Sequence, residues 1–230
     1  MSCVITIDGP TGSGKSTVCR MLAERLNYRY LDTGAMYRAI GLAIWRAGID
    51  IENEEAVERI CKDADIRLSH QRGETRVYLC DEDVTKAIRE PLIDIMASDV
   101  STLQSVRRMM AGLQRTIGAQ GPLVAEGRDM GTVVFPKAKH KFFLDASLEV
   151  RVDRRFQERK NRGETISRER VKEDLIKRDE QDMNRRFAPL KPARDAKLID
   201  TTHLNLQQVV ERVIHELKKK KKFRFLDASK

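Results

Sequence analysis

Gly9-Pro10-Thr11-Gly12-Ser13-Gly14-Lys15-Ser16-Thr17, close to the start of the 230-residue chain, is the stretch whose reading decides the fold. It satisfies the phosphate-loop pattern of glycine, four residues, glycine, lysine, and serine or threonine. Glycines let the backbone curl until successive N–H groups converge on an anion, which a Cβ would obstruct. Lys15 then reaches the outer phosphates of a nucleotide and the Ser16 hydroxyl sits on Mg²⁺, while the following helix aims its positive end at the same phosphates. The flanks agree. Cys3-Val4-Ile5-Thr6-Ile7 reads as a buried strand, and Val18, Met21, Leu22 and Leu26 recur at helical spacing. Strand, loop and helix make residues 9–17 a nucleoside-triphosphate site.

Outward from that unit the same rhythm continues. Tyr28-Arg29-Tyr30-Leu31 reads as a second strand ending at Asp32-Thr33-Gly34, where Asp32 or Thr33 caps a helix carrying Met36, Ile40, Ile44 and Trp45. Another helix is expected from Asn53 to Lys62. Then the period changes. Ile66 and Leu68, like Val77 and Leu79, alternate with polar neighbours around Gln71-Arg72-Gly73-Glu74, the pattern of an antiparallel hairpin. An inserted subdomain over 63–98, with a short helical part after Thr85, is therefore expected within a core of residues 1–62 and 99–217.

Val100, Leu103, Val106, Met109 or Met110, Leu113 and Ile117 predict one long amphipathic helix ending near Gly118. Pro122-Leu123-Val124-Ala125 reads as the next strand and opens onto Glu126-Gly127-Arg128-Asp129-Met130-Gly131, a second functional-looking turn. Strands at 141–144 and 197–200 and a closing helix through Leu206, Val209, Val210, Val213 and Leu217 complete the chain. The expected fold class is α/β, a five-stranded parallel sheet with helices on both faces, a small antiparallel insert and a helical lid. Ligands should gather at the carboxyl ends of the strands.

Composition narrows the class. The chain has no basic leader with a cleavage site and no apolar run of membrane-spanning length, so neither a secretory signal nor a membrane anchor is expected. Cys3, Cys19, Cys61 and Cys80 are scattered without metal spacing, which suits a reduced, cytoplasmic protein. The net charge of +9 is mostly a tail: residues 218–230 hold seven basic side chains against Asp227, leaving only +3 elsewhere. Such runs are usually solvated; a role in RNA or partner binding is the alternative. An aromatic content of 5% weakens any base-stacking surface, so nucleic acid is not the expected partner outside the tail.

Between Arg151 and Arg186 there are 13 Lys or Arg against 9 Asp or Glu, with Arg151, Arg155 and Arg159 four residues apart. Gly163 breaks one helix there, and Val171, Leu175 and Met183 mark the next. Read blandly, this is a solvated hairpin held by ion pairs along each helix. Beside a phosphate loop, the functional reading is a hinged lid closing arginines, Arg178 and Arg185 among them, over phosphates. Guanidinium forks match phosphate oxygens, and closure excludes water from the transferring group.

These residues together resemble the bacterial cytidylate (CMP/dCMP) kinases, of the nucleoside monophosphate kinase family. The likeness covers nearly the whole chain to about Leu217. It is carried by Ile5-Thr6-Ile7-Asp8-Gly9-Pro10, by Leu31-Asp32-Thr33-Gly34-Ala35-Met36-Tyr37-Arg38, and by Glu126-Gly127-Arg128-Asp129-Met130-Gly131-Thr132-Val133-Val134-Phe135-Pro136. Phe143-Leu144-Asp145-Ala146-Ser147, and Arg178-Asp179 through Asn184-Arg185 to Ala188-Pro189-Leu190, extend it. The resemblance implies ATP + (d)CMP → ADP + (d)CDP, with Mg²⁺, and partners limited to ATP, CMP and dCMP; a monomer is expected.

Family roles carry over residue by residue. Ser98, Arg107 and Asp129 match positions that contact cytosine; Arg38, Arg128 and Arg185 would hold the acceptor phosphate; Arg178 and Asp182 would lie near the pentose; Thr33 stands where serine is frequent. With Lys15, the arginines Arg128, Arg178 and Arg185 are the catalytic candidates. Glu126 stands where the family often has Asp, and the basic tail lies beyond the likeness. An acceptor that is already an oxyanion needs positioning and charge neutralisation, not a base, so His70, His140, His203 and His215 have no expected catalytic part. The competing readings are a UMP or hydroxyl acceptor, or a nucleotide-dependent RNA-binding or regulatory protein.

Overall fold

The computed structural model describes residues 3–71 and 74–219. Strands β1 (Val4–Asp8), β2 (Arg29–Asp32), β6 (Leu123–Gly127), β7 (His140–Asp145) and β8 (Lys197–Asp200) form one sheet in the order β2-β6-β1-β7-β8. Every pairing is parallel. The period-2 alternation of each strand splits the core. Leu31, Leu123 and Ala125 face one apolar layer, with the helices α2 (Thr33–Arg46), α3 (Glu54–Asp63), α4 (Pro91–Val100) and α5 (Gln104–Ala119). Ile5, Ile7, Tyr30 and Val124 face the other, against α1 (Lys15–Leu26) and α8 (Leu206–Lys219). Helices on both faces and a phosphate loop at the strand ends match the expected α/β architecture.

The hairpin is also present. β3 (Ile66–Gln71) and β4 (Glu74–Leu79) pair antiparallel with a two-residue β5 (Glu82–Asp83), making a separate three-stranded sheet. Residues 72–73 of its loop lie outside the described residues. Ile66, Val77, Leu79, Val84 and Ile88 are buried in the same layer as α2 and α3, so this sheet has no core of its own.

Two expectations change. The helix beginning at Val100 is instead two: α4 ends there and α5 starts at Gln104. Ser101 and Thr102 cause the break by donating their hydroxyls to the Ser98 and Asp99 carbonyls, a local alternative to continuing the helix. Trp45 and Met183 are about half exposed rather than inward-facing.

The basic stretch is a helical hairpin, α6 (Leu148–Asn161) and α7 (Arg168–Asn184), turning at Gly163 with φ +80°. Its core is a small cluster of Val152, Val171 and Leu175 apart from the two main layers. Its ion pairs run both between the helices, as in Arg159–Asp174 at 2.9 Å and Arg168–Glu149 at 2.7 Å, and along them, as in Arg155–Glu158 at 2.9 Å and Arg170–Asp174 at 3.3 Å. All four cysteines are free. No helix among the described residues is long and apolar enough to cross a membrane. Lys218 and Lys219 close α8; the expectation for the rest of the basic run, residues 220–230, lies outside the described residues.

Candidate active site

A cleft of about 820 Å³ opens at the carboxyl ends of the parallel strands, bounded by the phosphate loop, α2, α4, the turn after β6 and the helical hairpin. Eleven basic and six acidic side chains line it, so it is built for a highly charged anion.

The phosphate loop owes its shape to its glycines. Gly12 and Gly14 have φ of +78° and +87°, and a Cβ on Gly12 would sit 2.8 Å from the Arg151 carbonyl. Lys15 is buried and donates to the Pro10 carbonyl at 2.9 Å. Burial, then the neighbouring Arg128, pushes its ammonium below the usual lysine range. Thr201 pins the loop from beneath, its hydroxyl donating to the Ser13 carbonyl at 3.1 Å, and Arg151 does so from the hairpin through the Thr11 carbonyl at 3.3 Å. Thr11, Gly12, Gly14, Lys15, Ser16 and Thr17 reach the cleft; Gly9, Pro10 and Ser13 lie behind.

Beside the loop stands an oxygen-rich corner. Asp32 and Glu126 are register partners on β2 and β6, so their side chains share a face. Ser16 Oγ donates to Glu126 Oε2 at 2.6 Å, and the Tyr30 hydroxyl donates to Oε1. Burial, then Asp32, raises the Glu126 carboxyl above its usual range, while Lys15, Ser16 and Tyr30 oppose the rise. Asp32 caps α2 by accepting from Ala35 N, and the Thr33 hydroxyl donates to the Glu126 carbonyl at 2.6 Å, locking the two strand ends together. Among the described residues no cluster of three or more metal-ligating side chains occurs. A hydroxyl and a carboxylate are hard oxygen donors, and Mg²⁺ is ordinarily held by one or two such groups together with substrate phosphates, so the corner fits it.

The turn after β6 carries the other end of the cleft. It is a π-helical turn, Met130–Val134, with Phe135 N donating to Met130 O at 2.7 Å. Asp8, at the end of β1, accepts from Met130 N and Gly131 N at 2.8 Å each. Its carboxyl is pushed up to about 6, chiefly by burial. Arg107 Nη2 donates to Asp129 Oδ2 at 2.5 Å and Nη1 to the Ser101 carbonyl at 2.9 Å; its guanidinium also stacks 5.7 Å from the Tyr37 ring centre. Ser98 does not reach the cleft wall: its hydroxyl donates to Gln181 of α7 at 2.9 Å.

Between these ends lie the guanidiniums. Asp182 accepts from Arg128 Nε at 2.7 Å and from Arg185 at 3.3 Å, and Arg128 also donates to Thr11 Oγ1 at 2.6 Å. Arg38 lies 3.6 Å from Asp32 and 3.8 Å from Asp94. Among the described residues, Arg38 Nε, Arg178 Nε and Arg185 Nη2 are buried without a hydrogen-bond partner. Orphaned donors of this kind at one cleft call for an anion.

Sequence reading missed Asp94, Asp8 and Tyr30 as site residues, and had Arg155 only as one of the evenly spaced arginines of the hairpin. Asp94 is the one charged residue in the apolar run Pro91-Leu92-Ile93-Asp94-Ile95-Met96-Ala97, a signal in itself. It accepts from Arg155 at 2.7 Å, and the guanidiniums of Arg38 and Arg155 hold its carboxyl below the usual range although burial opposes them.

Comparison with known proteins gives one answer. The sequence profile of the cytidylate kinase family matches residues 5–219. Cytidylate kinases of Syntrophotalea carbinolica and Thermotoga maritima are 47% and 44% identical, over 92% and 91% of this chain and 90% and 94% of theirs. That of Caldanaerobacter subterraneus subsp. tengcongensis is 46% identical over 95% of this chain and 96% of its own. A solved gluconokinase from Sinorhizobium meliloti 1021 shares the fold, with TM-score 0.50 at 14% identity, over 95% of this chain and 93% of the other. The phosphate loop and its guanidinium-lined cleft thus sit in a chain that belongs to the cytidylate kinase family.

Proposed function

We propose that this kinase transfers the γ-phosphoryl group of Mg·ATP to CMP and dCMP in the cytoplasm. One observation carries the reading: a single cleft joins the phosphate loop to the Arg107–Asp129 pair, with Arg38, Arg128, Arg178 and Arg185 between them. The backbone of residues 9–17 and Lys15 bind the triphosphate. Ser16 and Glu126 would hold the metal, which would offset the charge of the phosphates. Arg128 and Arg185, fixed by Asp182, and Arg38 grip the acceptor phosphate. Arg178, whose Nε has no partner among the described residues, meets the charge spreading over the transferring group.

At the far end, Asp129 accepts from the exocyclic amine of cytosine, and Arg107 donates to the ring acceptors O2 and N3. Ser98 acts from behind, through Gln181, in setting that end of α4. Uracil would place a carbonyl against the Asp129 carboxylate, leaving two acceptors facing each other at a cost of about 1–3 kcal/mol. The insert over 63–98, with its three-stranded sheet, works as the acceptor-side subdomain, and α6–α7 as the lid that excludes water. Turnover of Mg·ATP with CMP, dCMP, UMP, AMP, GMP and dTMP tests the reading: fast, selective use of CMP and dCMP is expected. A flat panel with only slow ATP hydrolysis would discard it.

A further inference from the structure

We propose that Tyr30 is a positioning residue for the metal corner, its phenol fixing the Glu126 carboxylate so that the longer glutamate arm presents its other oxygen to Ser16 and the metal. The proposal rests on the assignment of Ser16 and Glu126 to Mg²⁺ made above.

Strand geometry sets up the contact. Asp32 pairs with Glu126 across β2 and β6, and Tyr30, two residues earlier on β2, projects from the same face one step along. A phenol is long enough to reach that diagonal neighbour. The Tyr30 ring is 6% exposed and packs in the apolar layer with Cys19, Leu22 and Val124, so the position of its hydroxyl is fixed by the core rather than by the site. That hydroxyl donates to Glu126 Oε1, while Oε2 accepts from Ser16 at 2.6 Å.

The need for it follows from the side chain. A glutamate has one more rotatable bond than an aspartate, and a buried carboxylate free about that bond would spread its oxygens over several positions. Ser16 alone anchors one oxygen and leaves the plane of the group free to swing. Two donors from two different elements, α1 and β2, define both oxygens. Glu126 and Tyr30 thus form one unit, in which the strand-held phenol makes up for the reach of the side chain it meets. The shorter arm of a Glu126→Asp variant would retract from Tyr30 and have no use for it.

The test measures Mn²⁺ binding to the protein·ATP complex without acceptor, reading free Mn²⁺ by electron paramagnetic resonance, in the full chain. Tyr30→Phe keeps the ring and removes only the hydroxyl. It is expected to weaken Mn²⁺ binding about 2- to 10-fold, the worth of one buried hydrogen bond. In a Glu126→Asp background the same change is expected to alter binding by less than about twofold, since the partner is out of reach. Equal losses in both backgrounds would mean a general packing effect and overturn the proposal. So would unchanged binding in Tyr30→Phe alongside weakened binding in Glu126→Gln, which would leave the metal assignment standing. Unchanged binding in Glu126→Gln would remove that assignment and the proposal together.

Discussion

Asp129→Asn separates base reading from fold support. The Arg107–Asp129 pair lies 2.5 Å apart with side chains 8% and 5% exposed, so the substitution leaves a buried guanidinium without its counter-ion. Removing one partner of a buried pair costs about 3–5 kcal/mol. The lower end applies because Arg107 keeps the Ser101 carbonyl at 2.9 Å and the Tyr37 ring. At about 2–4 °C per kcal/mol for a domain of this size, a loss of about 3 kcal/mol lowers the thermal midpoint by about 6–12 °C. Selectivity should fall as well. The amide can turn its NH₂ toward a uracil carbonyl, removing an acceptor–acceptor conflict of about 1–3 kcal/mol, so the ratio of kcat/KM for CMP over UMP should drop about 5- to 150-fold. Thermal melts and parallel kinetics with the two nucleotides read both effects. A lowered midpoint with the CMP:UMP ratio held within about twofold would show that Asp129 only supports Arg107 and does not read the base.

Arg178→Ala should lower kcat by at least about 10²-fold with little change in the apo thermal midpoint, because its guanidinium Nε is buried without a partner; near wild-type turnover would remove Arg178 from the mechanism. Gly12→Ala should abolish ATP binding measured by calorimetry, since its Cβ would meet the Arg151 carbonyl at 2.8 Å at a φ of +78°. Asp8 predicts a pH effect on stability. Its carboxyl, raised to about 6 from 3.8, holds a proton in the native state that the unfolded chain has released, so between those values the native state binds more protons. The unfolding free energy of wild type relative to Asp8→Asn should therefore fall as pH rises from about 4 to 6, by about 3 kcal/mol at most. A difference that is flat or rises with pH would contradict the burial assigned to Asp8.

Local patterns carried much of this molecule. The strand before the phosphate loop, the capping Asp32, the hairpin and the break at Gly163 all follow from spacing within a few residues, and the structure has each of them. The α4–α5 break was not visible because Ser101 and Thr102 end a helix without glycine or proline, through hydroxyls whose rotamers no spacing rule describes. Asp8, Tyr30 and Asp94 escaped for a different reason. Asp8 meets Met130 and Gly131, Tyr30 meets Glu126, and Asp94 meets Arg155, each from far away in the chain. Such partners are fixed only when the sheet order and the hairpin packing are known. Ser98 illustrates the limit of residue-by-residue transfer: its position matches, yet its hydroxyl is engaged by Gln181.

The α6–α7 hairpin keeps its apolar cluster of Val152, Val171 and Leu175 to itself, and meets the rest of the protein through polar links that include Arg151–Thr11, Arg155–Asp94, Arg128–Asp182, Gln181–Ser98 and Arg154–Thr201. Swinging it outward would uncover almost no oily surface and would break polar and ionic links alone. The closed, partly buried pairs are little screened by electrolyte, but once apart by more than a Debye length, about 8 Å near physiological ionic strength, the same charges would be screened, while the two large apolar layers stay untouched. In the lid role proposed above, ionic strength would thus act on the pull that draws an open arm back, with the rest of the fold as a fixed frame.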